Sequence, residues 1–357
     1  KGDLSGIASA GTTNPKIEER HASIGIPFDP SGCQIELLSL SKETGVREKK
    51  IYDLTFDAKK NSVSVRDSSG VELRVVDLSV LKGGVRRIFE AIKNNNEGAA
   101  FSIPEAETFM DSLLCAQIKA SSSDKSDIRL VVHDRFSPIE VESGFSIKSE
   151  IGAAPTLLNA SKSNTSFVYE VLGEADTQKV NDLSGKSAVR DRTDAVYGSG
   201  GSLKFLRMES EKFKRNLRRI DTLMPEIIAV MLAHFFRGAG NGLKDIVKML
   251  PDDISLKQYD LNEGDYEYKI KQFLEAVALG MTPAKSWSGR ADAQGGYIIV
   301  RDDGDLVCFH LYNREKFLDY LYENTKFESP STTRHGYGSI EEEGGKKIFR
   351  LNLQVRF

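Results

Sequence analysis

One carboxylate and one lysine stand at positions where two short apolar runs could bring them together. Asp127 opens a run in which apolar residues alternate, and Lys148 lies in a second such run that follows a turn signal. Side chains alternate between the two faces of a strand, so Ser146, Lys148 and Glu150 share one face. We therefore expect a hairpin that brings Asp127 and Lys148 to one end of a sheet. There a carboxylate could bind a divalent cation, and a lysine could orient a water beside a phosphodiester.

Hydrolysis of a phosphodiester needs an activated water, a stabilised phosphoryl group and a neutralised leaving oxygen. Asp127 offers a hard oxygen ligand of the kind that Mg²⁺ prefers. Lys148 offers positive charge next to the phosphate. The hydroxyl of Ser146 could hydrogen-bond a metal-bound water, and Glu150 could supply a second negative charge. This set predicts a metal-dependent nuclease.

Two other interpretations of the same stretch compete with this one. Polar residues on one strand face are commonly just the face that meets solvent. Asp134 is a rival to Asp127 as the metal ligand, although its place near the turn also suits a turn-forming residue. We favour Asp127 because it begins the strand, so its side chain can lie at the end of the sheet where the lysine points.

The elements that must position these residues alternate between strand and helix patterns. The pattern is strand-like over 33–76, helical over 80–95 and 103–115, and again strand-like over 156–173. Residues 1–30 and 121–126 have the composition of loops. The later patterns predict a long basic helix at 203–221, a buried helix at 225–236, helices at 268–279 and 314–322, a hairpin at 295–311 and a final strand at 346–357.

These patterns predict an α/β (α+β) fold with a mixed central sheet flanked by helices. The length of 357 residues suits two domains, or one domain with large additions. We divide the chain into a strand-rich segment with a helix at 1–100, a catalytic core at 101–175, a flexible linker or loop at 176–202, and a helical and hairpin region at 203–357 that contributes to the core and to DNA recognition.

Composition sets limits on the class of protein. The net charge of −3 counts against a passive, non-specific nucleic-acid binder, although the field that matters in a nuclease is local to its cleft. The widely spaced Cys33, Cys115 and Cys308 resemble neither a zinc site nor a disulfide framework. The apolar run at 227–236 is too short to span a bilayer. We therefore expect a cytoplasmic protein that binds no membrane.

Two clusters of basic residues could contact a nucleic acid. The stretch 207–221 of the long basic helix could neutralise phosphates or could equally be a solvated face with ion pairs such as Glu211 with Arg215. Arg334 and His335 lie in a Gly-rich segment, where an arginine could bond both O6 and N7 of a guanine. The competing interpretation of that segment is a turn with exposed charges. The basic residues of the first cluster are Arg207, Lys212, Lys214, Arg215, Arg218 and Arg219.

With these residues in view, the chain resembles the HpaII family of type II restriction endonucleases. The resemblance covers the chain from about residue 119 to its end. One stretch that carries it comprises the strand-like run with Lys148 and the residues that follow it. The stretches are GFSIKSEIGAAPTLLNAS (144–161), KSDIRLVVHD (125–134), GGYIIVRDDGDLVCFHLYNR (295–314), ENTKFESPSTTRHGYG (323–338) and LNLQVRF (351–357).

The resemblance implies a PD-(D/E)xK nuclease core, with additional N- and C-terminal elements, that cleaves double-stranded DNA at 5′-CCGG-3′ with Mg²⁺. It implies a prokaryotic restriction–modification system with a partner DNA methyltransferase. By position, Ser126-Asp127 stands for the "PD" element and Ser146-Ile147-Lys148 for the "(D/E)xK" element. Serine thus replaces the acidic residue, and Glu150 is the candidate that completes the metal shell.

Recognition of a palindrome made only of G·C pairs should use side chains that reach guanine O6 and N7 and cytosine N4. Arg334, His335 and Asn159 are the candidates. A palindrome suits a two-fold homodimer, and a monomer that cuts each strand in turn is the alternative. The alternative functions are a sequence-specific DNA-binding protein without catalysis and a PD-(D/E)xK nuclease of DNA repair.

Overall fold

The computed structural model describes residues 35–45, 48–57, 60–94, 103–115, 126–134, 140–151, 155–304, 306–310 and 314–357. They form two compact units. The first comprises the described residues within Lys1–Ala154 and Asp292–Asn313, and the second comprises those within Pro155–Ala291 and Arg314–Phe357. The loops expected at 1–30 and 121–125 and the expected turn at 136–138 lie outside the described residues.

The elements are numbered along the chain. The strands are β1 (Ile35–Gly45), β2 (Glu48–Asp57), β3 (Lys60–Arg66), β4 (Glu72–Asp77), β5 (Ile128–Asp134), β6 (Glu140–Ser149), β7 (Thr156–Leu158), β8 (Ser166–Leu172), β9 (Ser202–Met208), β10 (Gly296–Val300), β11 (Leu306–His310), β12 (Lys326–Phe327), β13 (Ile340–Glu343), β14 (Lys346–Asn352) and β15 (Val355–Arg356). The helices are α1 (Leu78–Lys93), α2 (Pro104–Ser112), α3 (Thr177–Asp182), α4 (Ala188–Gly198), α5 (Glu211–Ile220), α6 (Met224–Phe236), α7 (Leu243–Val247), α8 (Glu263–Leu279), α9 (Arg314–Asn324) and α10 (Thr332–His335), with 3₁₀ turns at Leu250–Asp252 and Lys257–Tyr259.

The first unit contains a sheet of eight strands in the order β11-β10-β6-β5-β1-β2-β3-β4. Its neighbouring strands are antiparallel except β6 and β10, which run parallel. The sheet is therefore mixed, as the alternation of strand and helix patterns predicts. The hairpin predicted around Asp127 and Lys148 forms as the β5–β6 pair, at the centre of the sheet.

An apolar core lies between one face of this sheet and helices α1 and α2. Phe145 and Ile147 of β6 belong to it, together with Ile298 of β10 and Phe109 of α2. Helix α1 begins where the side chain of Asp77 accepts a hydrogen bond from the backbone N–H of Ser79, as an N-cap does. Since odd-numbered residues of β6 point into this core, its even-numbered residues lie on the opposite face.

The second unit combines helices with two smaller sheets, ordered β12-β15-β7 and β13-β14-β8-β9. Helix α6 is buried on almost all sides, as its continuous apolar sequence predicts. Helix α8 begins five residues before the expected position, at a capping box in which Asn262 and Asp265 each accept a hydrogen bond from the other's backbone N–H. No helix in the described part of the chain is both long and apolar enough to cross a membrane.

The interpretation of residues 176–202 as a flexible linker is wrong, because helices α3 and α4 occupy most of this segment. Val189, Thr193 and Val196 are buried at helical spacing, yet the many charges around them hide that period in the sequence. The guanidinium of Arg192 donates hydrogen bonds to three backbone carbonyls, those of Leu183, Asn181 and Gly338. Polar residues in this segment thus stabilise packed structure.

The long basic helix predicted over 203–221 is also wrong in its first half. Residues 202–208 form strand β9, which pairs with β8, and only Glu211–Ile220 is helical. Burial alternates imperfectly along β9, with Leu203 and Met208 buried at its two ends. The single final strand predicted over 346–357 is divided into β14 and β15, which belong to different sheets.

Candidate active site

Backbone pairing and side-chain hydrogen bonds place the Asp127 carboxylate against β6. The Asp127 N–H donates to the Phe145 carbonyl at 2.8 Å. Its Oδ2 accepts hydrogen bonds from the Ile147 N–H at 2.6 Å and from the Ser146 hydroxyl at 3.3 Å. The carboxylate is therefore held beside the strand that carries Lys148, as predicted.

Lys148 lies two residues beyond Ser146 on the same strand face. Burial lowers the pKa of the Lys148 ammonium, and the negative charge of Asp127 acts in the opposite direction. The two groups are thus close enough to interact electrostatically. The Nζ atom of Lys148 lies 5.9 Å from the centre of the Tyr297 ring, which is within reach of a cation–π interaction.

Ser146 and Glu150 occupy different environments. Ser146 is fully buried, and its hydroxyl donates to Asp127, which orients that carboxylate. Glu150 is half-buried directly after β6, where its N–H donates to the Val300 carbonyl at 2.7 Å. Asp134 ends β5, and its side chain lies outside the described residues. It is seven residues from Asp127, or about 23 Å along an extended strand, so the two residues belong to different ends of the sheet.

The site offers few protein ligands for a metal. Within the described ranges, no three His, Cys, Asp or Glu side chains are grouped so that they could hold a metal ion. Mg²⁺ is commonly bound through one or two carboxylates, with waters and substrate phosphates completing its shell. Both hydrogen bonds described above are accepted by Oδ2 of Asp127. The other carboxylate oxygen of Asp127 is therefore left for a cation. The donor chemistry therefore fits Mg²⁺.

Glycine at position 144 allows the strand that carries Asp127 to approach β6 closely. A Cβ on Gly144 would clash with the Ser126 hydroxyl and would lie 3.0 Å from the Asp292 carbonyl oxygen. The same hydroxyl donates to that carbonyl at 2.9 Å. Since Ser126 immediately precedes Asp127, a side chain at position 144 would displace the candidate metal ligand.

Gly144→Ala should therefore reduce DNA cleavage about 100-fold, since a shift of about 1 Å can cost that much. It should also lower the thermal unfolding midpoint, because overpacking a buried site costs about 1–3 kcal/mol. Gly198→Ala is the matched control, since its Cβ would contact nothing within 4 Å. Equal cleavage rates for the two variants would show that the close approach at Gly144 does not position Asp127.

The residues expected to contact DNA bases belong to the second unit. Arg334 is exposed and His335 half-buried on the one-turn helix α10, where a Gly-rich loop was expected. Burial and the neighbouring Arg334 charge lower the pKa of His335. Asn159 is exposed directly after β7. A Cβ on Gly336 would lie 3.4 Å from Nζ of Lys162, so the segment after Asn159 approaches the segment of Arg334.

A buried polar network holds the turn that follows Asn159. The Thr165 hydroxyl donates to Oδ1 of Asn352 at 2.6 Å and accepts from the Ser161 N–H at 2.8 Å. Nδ2 of Asn352 donates to the Ser161 carbonyl. Because each of these buried groups has a partner, the turn presents Asn159 and Lys162 from a fixed base.

Sequence reasoning missed two residues of these sites, Tyr297 and Lys162. Tyr297 is paired with Ser146 through the parallel contact of β6 and β10, and those strands are about 150 residues apart in sequence. No local pattern predicts such a pairing. Lys162 directly follows the TLLNAS stretch. Its place three residues after Asn159, a candidate for base contact, was the one sequence signal that could have indicated it.

Comparison with known proteins identifies the family to which this chain belongs. The family model described as HpaII restriction endonuclease matches residues 38–357. The type II restriction enzyme HpaII of Haemophilus parainfluenzae is 39% identical over 316 residues, which cover 87% of this chain and 87% of that protein. No solved structure matches the chain significantly. The matched region includes both strands of the hairpin and the segments of Asn159 and Arg334.

Proposed function

Because the chain belongs to the HpaII restriction endonuclease family, and is therefore a site-specific deoxyribonuclease, we propose that it cleaves double-stranded DNA at 5′-CCGG-3′ in a Mg²⁺-dependent reaction. The observation that carries the catalytic part is the Asp127 carboxylate, hydrogen-bonded to β6 beside a half-buried lysine. The tetranucleotide is proposed from the family resemblance. We assign the β5–β6 hairpin to the core of a PD-(D/E)xK nuclease.

In this proposal each residue of the hairpin has one task. Asp127 holds the cation, which when bound polarises the phosphate and offsets charge on the leaving oxygen. Lys148 orients the attacking water and places positive charge beside the phosphoryl oxygens. Ser146 orients Asp127 through its hydroxyl, and Glu150 supports the water shell of the cation. The water oxygen bonds to phosphorus as the bond to the leaving oxygen breaks.

Base reading is assigned to Asn159, Lys162, Arg334 and His335. An arginine can donate to both O6 and N7 of guanine in the major groove, and a lysine can donate to the same acceptors. Because its pKa is lowered, His335 is neutral at pH 7, so it can both accept and donate a hydrogen bond. The side-chain oxygen of Asn159 can accept from the N4 amino group of cytosine.

The partners follow from the same proposal. A cell that makes such an enzyme needs a DNA methyltransferase to protect its own sites. A palindromic site suits a two-fold homodimer, in which each copy cuts one strand. A monomer that cuts the two strands in turn is the alternative, and both forms would act on the same duplex.

A plasmid digest tests the function. With Mg²⁺ we expect discrete fragments whose ends map to CCGG, and with EDTA we expect intact plasmid. Duplexes that differ from CCGG by a single base pair are the matched control and should stay intact. Uncut DNA whose mobility is shifted would indicate a DNA-binding protein without catalysis. Smeared or structure-specific products would indicate a nuclease of DNA repair.

A further inference from the structure

Helix α5 presents one face that is cationic and another that is buried. Its buried face contains Phe213, Asn216 and Leu217. At 100° per residue, the exposed basic residues lie on the opposite side, within an arc of about 120°. These exposed residues are Lys212, Arg215, Arg218 and Arg219.

Among the described residues, no carboxylate forms an ion pair with the four exposed basic residues of α5. Lys212, Arg215 and Arg218 make no side-chain hydrogen bond or ion pair within the part of the chain that the structure describes. The acidic residues at the two ends of the helix are occupied, because Glu211 pairs with Lys214 and Asp221 with Lys269.

Elsewhere in the same unit, two arginines are paired with several carboxylates. Arg207 binds Glu209 and Glu343, and Arg350 binds Glu209, Glu341 and Glu343. The sequence places Arg207 and the α5 residues in one basic run, but the structure separates them. Arg207 belongs to a structural ion-pair network, whereas the charges of Lys212, Arg215 and Arg218 are left for a ligand.

Asn216 holds a second basic segment against this helix. Its Nδ2 donates to the carbonyls of Thr282 and Lys285, at 3.2 and 2.7 Å, and its Oδ1 accepts from the Trp287 N–H at 2.9 Å. These bonds keep the exposed Lys285 beside α5, and the Trp287 Nε1–H donates to the carbonyl of the exposed Arg290, which keeps that residue next to the same segment. We define the cationic face as the four exposed basic residues of α5 together with these two.

We propose that this cationic face binds the phosphate backbone of duplex DNA. A chain with a net charge of −3 has no general excess of cations, so an unpaired local cluster indicates an anionic partner. From Lys212 to Arg219 the helix rises about 10 Å, which matches about three phosphates of one strand at 3.4 Å each along the DNA axis. The inference rests on the proposed function, since its partner is the DNA substrate.

The test compares a triple variant, Lys212→Ala/Arg215→Ala/Arg218→Ala, with the wild type. Affinities for two duplexes of equal length, one with CCGG and one without, are measured in EDTA between about 50 and 200 mM salt. We expect weaker binding to both duplexes by a similar factor. The slope of log K against log salt should become shallower by about 0.9 for each lost phosphate contact.

The matched control is Lys179→Ala/Lys244→Ala/Lys248→Ala, which changes the net charge equally. Each of these lysines is paired with a carboxylate, namely Asp176, Glu323 and Asp245. This variant should retain the wild-type slope. The thermal unfolding midpoint of each variant shows whether the fold is intact.

Either of two results would overturn the inference. One is an unchanged slope in the α5 variant, and the other is a loss confined to the CCGG duplex, which would indicate base reading. The proposed function fails separately, when wild-type protein with Mg²⁺ leaves CCGG plasmids uncut.

Discussion

Lys148→Met is expected to lower the rate of DNA cleavage by roughly 10²–10³-fold, the usual cost of removing one group that stabilises charge in the transition state. Methionine keeps the length of the side chain but cannot orient a water or place positive charge near the phosphate. Binding of duplex DNA in EDTA should persist. A variant that cuts plasmid at the wild-type rate would show that this lysine has no catalytic role.

The stability of the same variant separates catalysis from folding. Burial lowers the folded-state pKa of Lys148 below 10.5, so the protonated lysine destabilises the fold. This free-energy cost applies in full below the folded-state pKa, and it decreases as the pH rises from there towards 10.5. Lys148→Met should therefore unfold at a higher temperature than the wild type near pH 7, and the difference should shrink at higher pH. A lower midpoint would trace the lost activity to misfolding.

Asp127→Asn is expected to reduce cleavage about a thousandfold, which corresponds to about 4 kcal/mol of lost metal binding and charge stabilisation. The amide oxygen of asparagine can still accept the hydrogen bonds from the Ile147 N–H and the Ser146 hydroxyl. The fold should thus be retained while the negative charge for the cation is lost. Raising the Mg²⁺ concentration should recover part of the activity.

Asp134→Asn is the matched control for this substitution, because it removes one carboxylate from the other end of the same strand. It should cleave at close to the wild-type rate. An inactive Asp134 variant beside an active Asp127 variant would reverse the assignment of the metal ligand. Cleavage rates at saturating DNA decide between them.

Local patterns predicted the parts of the fold whose residues are close in sequence. The β5–β6 hairpin and helices α1, α6 and α8 follow from apolar periods of two or 3.6 residues. The apolar period did not predict α4, because charged residues surround its few buried positions. It also did not predict β9, because burial alternates imperfectly along that strand. In both places the buried positions are set by packing against distant residues.

The sequence by itself determined the residue types of the hairpin and, through strand alternation, the common face of Ser146 and Lys148. Only the tertiary structure decided that β10 lies parallel to β6 and that Tyr297 lies near the lysine. It also decided that Arg207 is paired with carboxylates, whereas Lys212, Arg215 and Arg218 are not paired within the described residues. The physical reason is the range of the interactions. Strand alternation acts between neighbours in the chain, whereas pairing between strands and neutralisation of charge depend on residues that only folding brings together.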